Sequence, residues 1–528
     1  MAQVQEEHKD DASTGPPAGL IGRSLATLSA AWTQRALVQT ALVTTARFYT
    51  IGCGHEAWDL RTALFIGIAR AVSEESKKRQ DPNAVLDPAK ATQSARKRLV
   101  TLEMKNPKFG ACVEIKIPVK PKRGLGGILE LLDQEEEVGR EIPAEWQLHK
   151  DVKGKANERV LLYFHGGGYT RRSPMGLLNP RTHRPISLHL SQELGCRVLS
   201  VDYRLAPETV FPGALYDAVT SYLYLTEELK VSPSNVLIGG DSAGAGLCLS
   251  LMLYLRDTKM NQVAGAILLS PFCDITHSLH SWESNGVGPS IPAHVLGLGE
   301  TNHSTFIQHL DYLSVPVDPS PLNPAKLYAP SNALHPYVTS VLADHQNLPP
   351  LLLQAGGAET LRDEVTLLAH RADRAGVDVT HEIYDSGVHV THLLFESELA
   401  RVCRIQVGVW AKKVQGPEKL KTRSEGWSEV DALFGSEWKR LEGNATDGGA
   451  NKSGGAEKKA TPQPAYIFEP VVQEAPQIHL RQNANEEVAK AVEEDAEYKP
   501  RKGLTTIFVP KRNPKAGLVG QVRGVLHL

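Results

Sequence analysis

The segment Asn235-Val-Leu-Ile-Gly-Gly-Asp-Ser-Ala-Gly244 sets a serine between two glycines at the end of a short apolar run. The apolar run predicts a buried strand, and the residues that follow it, 242–255, predict a helix. On such a tight strand-to-helix turn the serine Oγ projects from the carboxyl edge of the sheet, and the helix N-terminus favours developing negative charge. The pattern therefore predicts Ser242 as a nucleophile. The alternative is a glycine-flanked serine that only caps the helix.

A second glycine-rich motif, HGGGY at residues 165–169, directly follows a predicted strand at residues 159–164. Consecutive glycines leave backbone N–H groups unobstructed, so the loop can donate hydrogen bonds to an oxyanion, each worth about 2.7–4 kcal/mol in the transition state. The alternative is a flexible surface turn, and His165 itself is expected to brace the loop. The predicted oxyanion-hole donors are the amides of Gly166, Gly167, Gly168 and Ala243.

Short apolar runs alternate with amphipathic stretches through the middle of the chain. Strands are predicted at residues 159–164, 196–202, 235–239, 264–270, 350–354 and 377–384, with edge strands at 113–118 and 146–149. Helices are predicted at residues 212–229, 242–255, 361–375 and 391–413. This alternation is typical of an α/β fold in which helices cover both faces of a mostly parallel central sheet.

The two glycine-rich motifs belong to a longer ordered set of segments. The others are VDYRLAPE at 201–208, Phe211-Pro212, SPFCD at 270–274, His335-Pro336 and LPP at 348–350. Together these segments resemble the hormone-sensitive-lipase-like esterases and lipases of the α/β-hydrolase superfamily, over roughly residues 155–410. The resemblance implies an α/β-hydrolase fold with a helical cap, and the long tails look most like those of fungal members.

The resemblance also implies a catalytic acid in ETLRDE at residues 359–364, which matches the family's D-x-L-x-D-E segment. The acid is then Glu359, where aspartate is commoner. A glutamate can equally hold the histidine tautomer and stabilise its charged form. Asp363 is the alternative acid; otherwise it is, like Glu364, a solvated or helix-capping carboxylate.

The base is implied in YDSGVHV at residues 384–390, which resembles the family's aromatic-x-G-M-x-H-V segment and places the base at His389. The family's glycine–methionine pair is displaced here and is replaced by Ser386-Gly387. The resulting chain order of serine, acid and histidine is that of the fold. His392 is the alternative base, although it is expected to lie in the following helix.

The resemblance implies hydrolysis of small-molecule esters through an acyl-enzyme on Ser242, with short-to-medium acyl or acetyl esters of apolar alcohols as substrates. This chemistry needs no cofactor and no metal, and the sequence has no zinc-site or dinucleotide motif. Two alternatives stay open. One is a non-catalytic small-molecule receptor on the same fold. The other is an amidase or formamidase, because the acyl chemistry is shared.

Four regions are predicted along the 528 residues. Residues 1–20 form a disordered tail, and 21–110 contain amphipathic helices that contribute to the cap. Residues 111–415 form the catalytic domain, with a cap insertion at about 275–335. Residues 416–528 are predicted to be largely disordered, because they carry too little apolar surface to offset the entropy cost of ordering.

Composition excludes several classes of protein. The net charge of −2 gives no general attraction to nucleic acid, and the six scattered cysteines are expected as buried or free thiols. The acidic N-terminus does not resemble a signal peptide, and no uncharged run reaches the ~18 residues of a spanning helix. The prediction is an intracellular protein, either cytoplasmic or peripherally associated with membrane lipid through residues 24–75. No protein partner is predicted.

Overall fold

The computed structural model describes residues 109–170, 180–285, 327–394, 397–416, 423–447 and 466–513. It also describes the short stretches 290–291, 306–307, 311–313 and 419–420, and, with gaps at 39, 47 and 56, the ranges 38–49 and 55–78. The predicted tail at 1–20, Cys53 and much of the cap insertion lie outside the described residues.

Strands build one large sheet and one small one within the described residues. They are β1 (Gly110–Pro118), β2 (Glu141–His149), β3 (Val160–Phe164), β4 (Arg197–Val201), β5 (Val236–Asp241), β6 (Gly265–Leu269), β7 (Ser290–Ile291), β8 (Phe306–Ile307), β9 (Leu351–Gly356), β10 (Val379–Tyr384), β11 (Tyr466–Val472) and β12 (Thr505–Arg512). The large sheet has the order β1-β2-β4-β3-β5-β6-β9-β10-β12-β11, and β7 pairs with β8 apart from it.

From β4 to β12 the neighbouring strands of the large sheet run parallel, whereas β1, β2 and β11 pair antiparallel at its two ends. The predicted α/β class with a mostly parallel sheet is therefore confirmed. The carboxyl ends of β5, β6, β9 and β10 lie side by side, and the segments that follow these strands carry the predicted nucleophile, acid and base.

The described helices cover both faces of the sheet. They are α1 (Leu60–Lys78), α2 (Glu130–Glu135), α3 (Pro180–Leu194), α4 (Gly213–Leu223), α5 (Ala243–Asp257), α6 (Ser281–Ser284), α7 (Arg362–Arg374), α8 (Glu398–Val414), α9 (Trp427–Asp447) and α10 (Glu486–Ala496). The predicted helix at 391–413 is wrong at its start. A short 3₁₀ turn at Thr391–Leu393 comes first, and α8 begins after Ser397, whose side chain accepts from the Ala400 amide.

Successive strand residues point to opposite sides of the sheet, and both sides are apolar. In β3, Leu161 and Tyr163 pack in the cluster that holds α3 and α8. The alternate residues Val160, Leu162 and Phe164 pack in the larger cluster with α4, α5 and α7. This double burial explains why the strands appear in the sequence as unbroken apolar runs.

The helix α1 lies against the segments that follow the last parallel strands. The Trp58 indole, just before α1, donates a hydrogen bond of 2.7 Å to the Ser386 carbonyl. Trp58 and Ile66 pack with Tyr312 and Val388 in a small apolar cluster. These contacts agree with the expected cap contribution of the N-terminal region, which stays a prediction.

The C-terminal region differs from its predicted disorder, because α9, β11, α10 and β12 are all ordered within the described residues. Trp427, Val430 and Phe434 of α9 join the main core on one face of the helix. Strand β12 takes its backbone hydrogen bonds from β10. The few apolar residues of this region suffice because they are spaced to meet a surface that the α/β sheet and its other helices already provide.

The sulfur chemistry agrees with the expectation of thiols, since Cys112, Cys196, Cys248, Cys273 and Cys403 are all buried and free. Among the described residues, no helix is long and apolar enough to cross a membrane.

Candidate active site

Ser242 occupies a strained turn between β5 and α5. Its backbone has φ 53° and ψ −121°, in a region that non-glycine residues rarely adopt. The flanking glycines are required sterically: a Cβ at Gly244 would collide with the Phe164 carbonyl, and one at Gly240 would collide with Gly244 itself. The turn sets Ser242, which is half-buried, at the N-terminus of α5. This is the placement that the Gly-x-Ser-x-Gly pattern predicts.

The HGGGY loop packs directly against this turn. A Cβ at Gly166 would collide with the Asp241 carboxylate and lie 3.1 Å from the Ser242 Cβ. Gly167 and Gly168 have φ values of 125° and 63°, which favour glycine. Among the described residues, no acceptor takes a hydrogen bond from the amides of these three glycines. The loop therefore offers backbone N–H donors beside Ser242.

His165 braces the loop, as the sequence predicts. Its Nδ1 lies 2.8 Å from the Gly166 carbonyl oxygen, and its ring stacks on Tyr203 with centroids 4.6 Å apart. The Tyr203 hydroxyl donates in turn to the His165 carbonyl at 2.6 Å. This buried ring is held in place by its neighbours, which is a structural role rather than that of a base.

Asp241, next to the nucleophile, is a buried charge that the sequence analysis did not assign. The Tyr163 hydroxyl donates to its Oδ1 at 2.6 Å, and the Nε2 of His183 lies 3.3 Å from its Oδ2. Burial favours the neutral acid, but the His183 and Tyr163 partners outweigh burial and lower the pKa of Asp241. Asp241 therefore places negative charge next to Ser242.

Glu359, the predicted acid, lies beyond the end of β9 and is fully buried. Its Oε2 accepts hydrogen bonds from the Ser270 hydroxyl at 2.6 Å and from the Gly356 amide at 2.9 Å. Its Oε1 is buried without a hydrogen-bond partner among the described residues. Burial raises the pKa of Glu359 well above its usual value, although the Ser270 hydrogen bond opposes that shift.

His389, the predicted base, lies in the segment after β10 and is only 3% exposed. Its Nδ1 is also buried without a hydrogen-bond partner among the described residues. Burial lowers the pKa of His389 to about 4, while the negative charge of Asp241 acts in the opposite direction. The imidazole is therefore neutral at physiological pH and able to accept a proton.

Ser270 connects the segments that carry Ser242, Glu359 and His389. The Ser242 amide bonds to the carbonyl of Leu269, at the end of β6, at 2.9 Å. The hydroxyl of the next residue, Ser270, donates a hydrogen bond to Glu359 and accepts one from the Val390 amide at 3.0 Å. The structure therefore brings three segments together: the turn of Ser242, the loop after β9 that carries Glu359 (the acid loop), and the loop after β10 that carries His389 (the base loop).

The three predicted side chains are not themselves hydrogen-bonded to one another in the described structure. Buried polar atoms normally have partners, and two atoms here lack one, the Oε1 of Glu359 and the Nδ1 of His389. These are the atoms that an acid–base pair would join.

The alternative acid and base are placed differently. Asp363 lies in the first turn of α7, where its carboxylate bonds to the Arg362 guanidinium and to the Ser281 amide. His392 lies in the 3₁₀ turn after the base loop, and burial lowers its pKa to about 3. Neither ring nitrogen of His392 has a hydrogen-bond partner among the described residues. Asp363 thus bonds at the start of a helix, and within the described part of the chain no hydrogen bond joins its carboxylate to the segment that carries His389.

Besides Asp241, sequence reasoning missed Ser270 and Asp311. Ser270 opens the SPFCD segment, which the family resemblance marks only as a landmark, and its position at the end of a strand was the available signal. Asp311 belongs to no motif, yet its fully buried carboxylate accepts from the amides of Thr360 and His389. Nothing in the sequence around Asp311 indicates those contacts. Within the described residues, no group of three or more potential ligands is placed to hold a metal ion.

Comparison with known proteins matches residues 161–302 and 317–393 to a family model described as the alpha/beta hydrolase fold. An acetyl-hydrolase from Streptomyces hygroscopicus is 33% identical over 225 residues, or 42% of this chain and 65% of the relative. An esterase from Acinetobacter venetianus is 30% identical over 236 residues, or 44% of this chain and 68% of the relative. The matched region thus spans about two thirds of these relatives.

A fungal relative and a solved structure are also similar. Versiconal hemiacetal acetate esterase from Aspergillus parasiticus is 28% identical over 236 residues, or 43% of this chain and 65% of the relative. The crystal structure of an esterase from the bacterial hormone-sensitive lipase family is 27% identical, with a TM-score of 0.47, covering 66% of this chain and 97% of that one. The family model includes the positions of Ser242, Glu359 and His389. Because the chain is 30% identical to the Acinetobacter venetianus esterase over 68% of that relative's length and matches the family model, it belongs to the α/β-hydrolase fold family.

Proposed function

We propose that this chain is a serine-dependent carboxylic ester hydrolase that works through an acyl-enzyme intermediate. The observation that carries the proposal is the strained turn of Ser242, with the glycine loop packed against it and the acid and base loops joined beside it through Ser270. A serine held in such a turn, next to backbone donors and a neutral histidine, fits nucleophilic attack on an acyl carbon.

In the first half-reaction, the Ser242 Oγ attacks the ester carbonyl carbon while His389 takes the hydroxyl proton. The carbonyl oxygen becomes an oxyanion, and the amides of the glycine loop and of Ala243 donate hydrogen bonds to it. His389 then gives the proton to the leaving alcohol as the C–O bond breaks. In the second half-reaction, a water molecule attacks the acyl-enzyme by the same route and releases the acid and the free serine.

Glu359 has the role of orienting and stabilising His389. Pairing of its Oε1 with the Nδ1–H of His389 would satisfy both unpartnered atoms and fix the tautomer whose Nε2 faces the nucleophile. Catalytic hydrogen bonds are often long in unliganded enzymes and shorten when substrate is bound. The positive charge that forms on His389 would then face the carboxylates of Glu359 and Asp241.

The proposed substrates are short-to-medium acyl or acetyl esters of apolar alcohols. Relatives named as an acetyl-hydrolase and a hemiacetal acetate esterase support the acyl group. An apolar alcohol is supported by aromatic rings beside the base, since Tyr312 lies 6.0 Å from His389 between ring centroids and packs edge-on against Phe65. A ring surface of this kind favours apolar over charged groups.

The test compares wild-type protein with the Ser242→Ala variant on p-nitrophenyl acetate and butyrate, with a fluorophosphonate probe as a label of the nucleophile. Ser242→Ala should lower turnover at least ~1,000-fold and abolish labelling, because the nucleophile is lost. Ser221→Ala is the matched control, since the side chain of this buried helical serine donates to the Asp217 carbonyl within its own helix; the variant should leave both readouts unchanged. Hydrolysis retained by Ser242→Ala overturns the proposal. Wild-type protein that neither hydrolyses nor labels favours the receptor alternative.

A further inference from the structure

Asp311, in the cap insertion, lies between the loops that carry the predicted acid and base. Its Oδ2 accepts hydrogen bonds from the Thr360 amide at 2.8 Å and the Thr360 hydroxyl at 3.1 Å. Its Oδ1 accepts from the His389 amide at 3.2 Å and from its neighbour Tyr312 at 2.7 Å. One side chain therefore holds the residue after Glu359 and the backbone of the base itself.

The backbone of Asp311 extends the same connection in two directions. Its amide donates to the Asn285 carbonyl at 3.0 Å, and the Asn285 side chain donates to the Glu359 carbonyl at 2.7 Å. The Asp311 carbonyl accepts from the Arg70 guanidinium of α1 at 2.7 Å. The N-terminal helix, the insertion and both catalytic loops thus meet at this residue.

A carboxylate suits this position better than any other side chain. Its two oxygens accept four hydrogen bonds at once, and a fully buried carboxylate is tolerated only when such donors surround it. An asparagine has one oxygen and would direct N–H groups at two of the four donors. Because a misplacement of about 1 Å at the reacting groups can cost ~100-fold in rate, fixing two loops together is a kinetic as well as a structural role.

We propose that Asp311 is a positioning residue of the ester hydrolase, which sets the distance between Glu359 and His389 and links it to the placement of the cap helix α1. The inference rests on the proposed function. It goes beyond that function by assigning part of the alignment of the acid and base to a residue of the cap insertion, outside every motif of the sequence.

A matched residue separates positioning from mere stabilisation. Asp133 is also a buried carboxylate, 1% exposed, and accepts from the amides of Gly124 and Leu125 and from the Tyr216 hydroxyl. None of these partners belongs to the catalytic loops. Asp311→Asn and Asp133→Asn should therefore cost similar stability, because each leaves buried donors unpaired.

The experiment measures kcat and KM for p-nitrophenyl acetate on the full chain, with the folded fraction taken from circular dichroism. Asp311→Asn should lower kcat per folded molecule ~10–100-fold with KM changed less than about threefold, because alignment rather than binding is lost. Asp133→Asn should leave kcat per folded molecule within about twofold. Thr360→Val removes one donor to Asp311 and keeps the shape of the Thr360 side chain, so it should lower kcat by a smaller factor. If Asp311→Asn does not fold, the kcat of Thr360→Val tests the positioning role.

The outcomes separate the two proposals. Equal kcat per folded molecule in the two aspartate variants, or an unchanged kcat in both Asp311→Asn and Thr360→Val, overturns the positioning role and leaves the hydrolase intact. Wild-type protein without activity, or full activity in Ser242→Ala, overturns the hydrolase itself.

Discussion

At the scale of single residues, the choice between Glu359 and Asp363 shows how burial and partners separate two neighbouring carboxylates. One oxygen of Glu359 accepts hydrogen bonds from Ser270 and Gly356, and the other has no hydrogen-bond partner among the residues that the structure describes. Asp363 has both oxygens engaged, by Arg362 and by Ser281. Only the first carboxylate has an oxygen available to orient an imidazole.

We expect Glu359→Gln to lower kcat for p-nitrophenyl acetate ~1,000–10,000-fold, because an amide neither enforces the correct imidazole tautomer nor stabilises the imidazolium. Asp363→Asn is the control and should change kcat less than about threefold, since its partners Arg362 and Ser281 lie at the starts of α7 and α6. Steady-state kinetics on both variants checks the prediction. A larger loss in Asp363→Asn would move the acid to that position.

At the scale of elements, strand β10 carries a titratable group that is buried and bonded to its neighbouring strand β9. Glu382 of β10 is 5% exposed, and its Oε2 accepts from the Gln354 amide and the Tyr384 hydroxyl, both at 2.8 Å. Burial raises the pKa of Glu382 to about 7, although these two hydrogen bonds oppose the shift. Ionisation of this residue therefore opposes folding near neutral pH.

The direction of the pH effect follows from that raised pKa. Below the unfolded value of about 4.5 the protonated Glu382 makes its full contribution to stability, which is lost as the pH rises through about 7. Glu382→Gln should remove this dependence, so the variant should gain stability relative to wild type between pH 5 and pH 8, by at most ~3 kcal/mol. Thermal unfolding at the two pH values measures the gain.

The control for this experiment is Glu469→Gln in β11, an exposed glutamate paired with Lys511, whose pH dependence should follow that of wild type. Parallel pH profiles for wild type and Glu382→Gln would contradict the assignment.

At the scale of the complete chain, the described part of the C-terminal region packs onto the α/β core and extends its sheet. Helix α9 buries Trp427 fully, edge-on to Trp146 with centroids 5.8 Å apart. The Arg197 guanidinium stacks over Trp427 at 4.6 Å and bonds to Asp431 at 2.7 Å. On the same face, toward the β9–β10 end of the sheet, His370 of α7 lies 2.8 Å from Asp495 of α10.

Removal of residues 465–528 should lower the melting temperature by ~5–10 °C and cause association, because β10 would present an unpaired edge to solvent. Differential scanning calorimetry and size-exclusion chromatography measure the two effects. Removal of 514–528 alone is the control and leaves β12 in place. An unchanged melting temperature after the longer deletion would show that β11, α10 and β12 add nothing to the stability of the domain.

The layered α/β fold and the positions of its main strands could be predicted from the amino-acid pattern alone. Double burial makes each strand an unbroken apolar run, and the turn around Ser242 requires glycines that are visible as a motif. Both requirements fall on consecutive residues, so a short stretch of sequence shows them. The order of the predicted nucleophile, acid and base came from the family resemblance.

The contacts that hold these residues together could not be predicted in this way. Ser270 and Asp311 bond to partners 89 and 78 residues away in the chain, and a single hydroxyl or carboxylate leaves no periodic signal for such a contact. The C-terminal strand β12 is ordered by backbone bonds to β10, whose free edge exists only after the sheet has formed. Contacts of this kind depend on surfaces made by distant parts of the chain, and for that physical reason the local sequence does not display them.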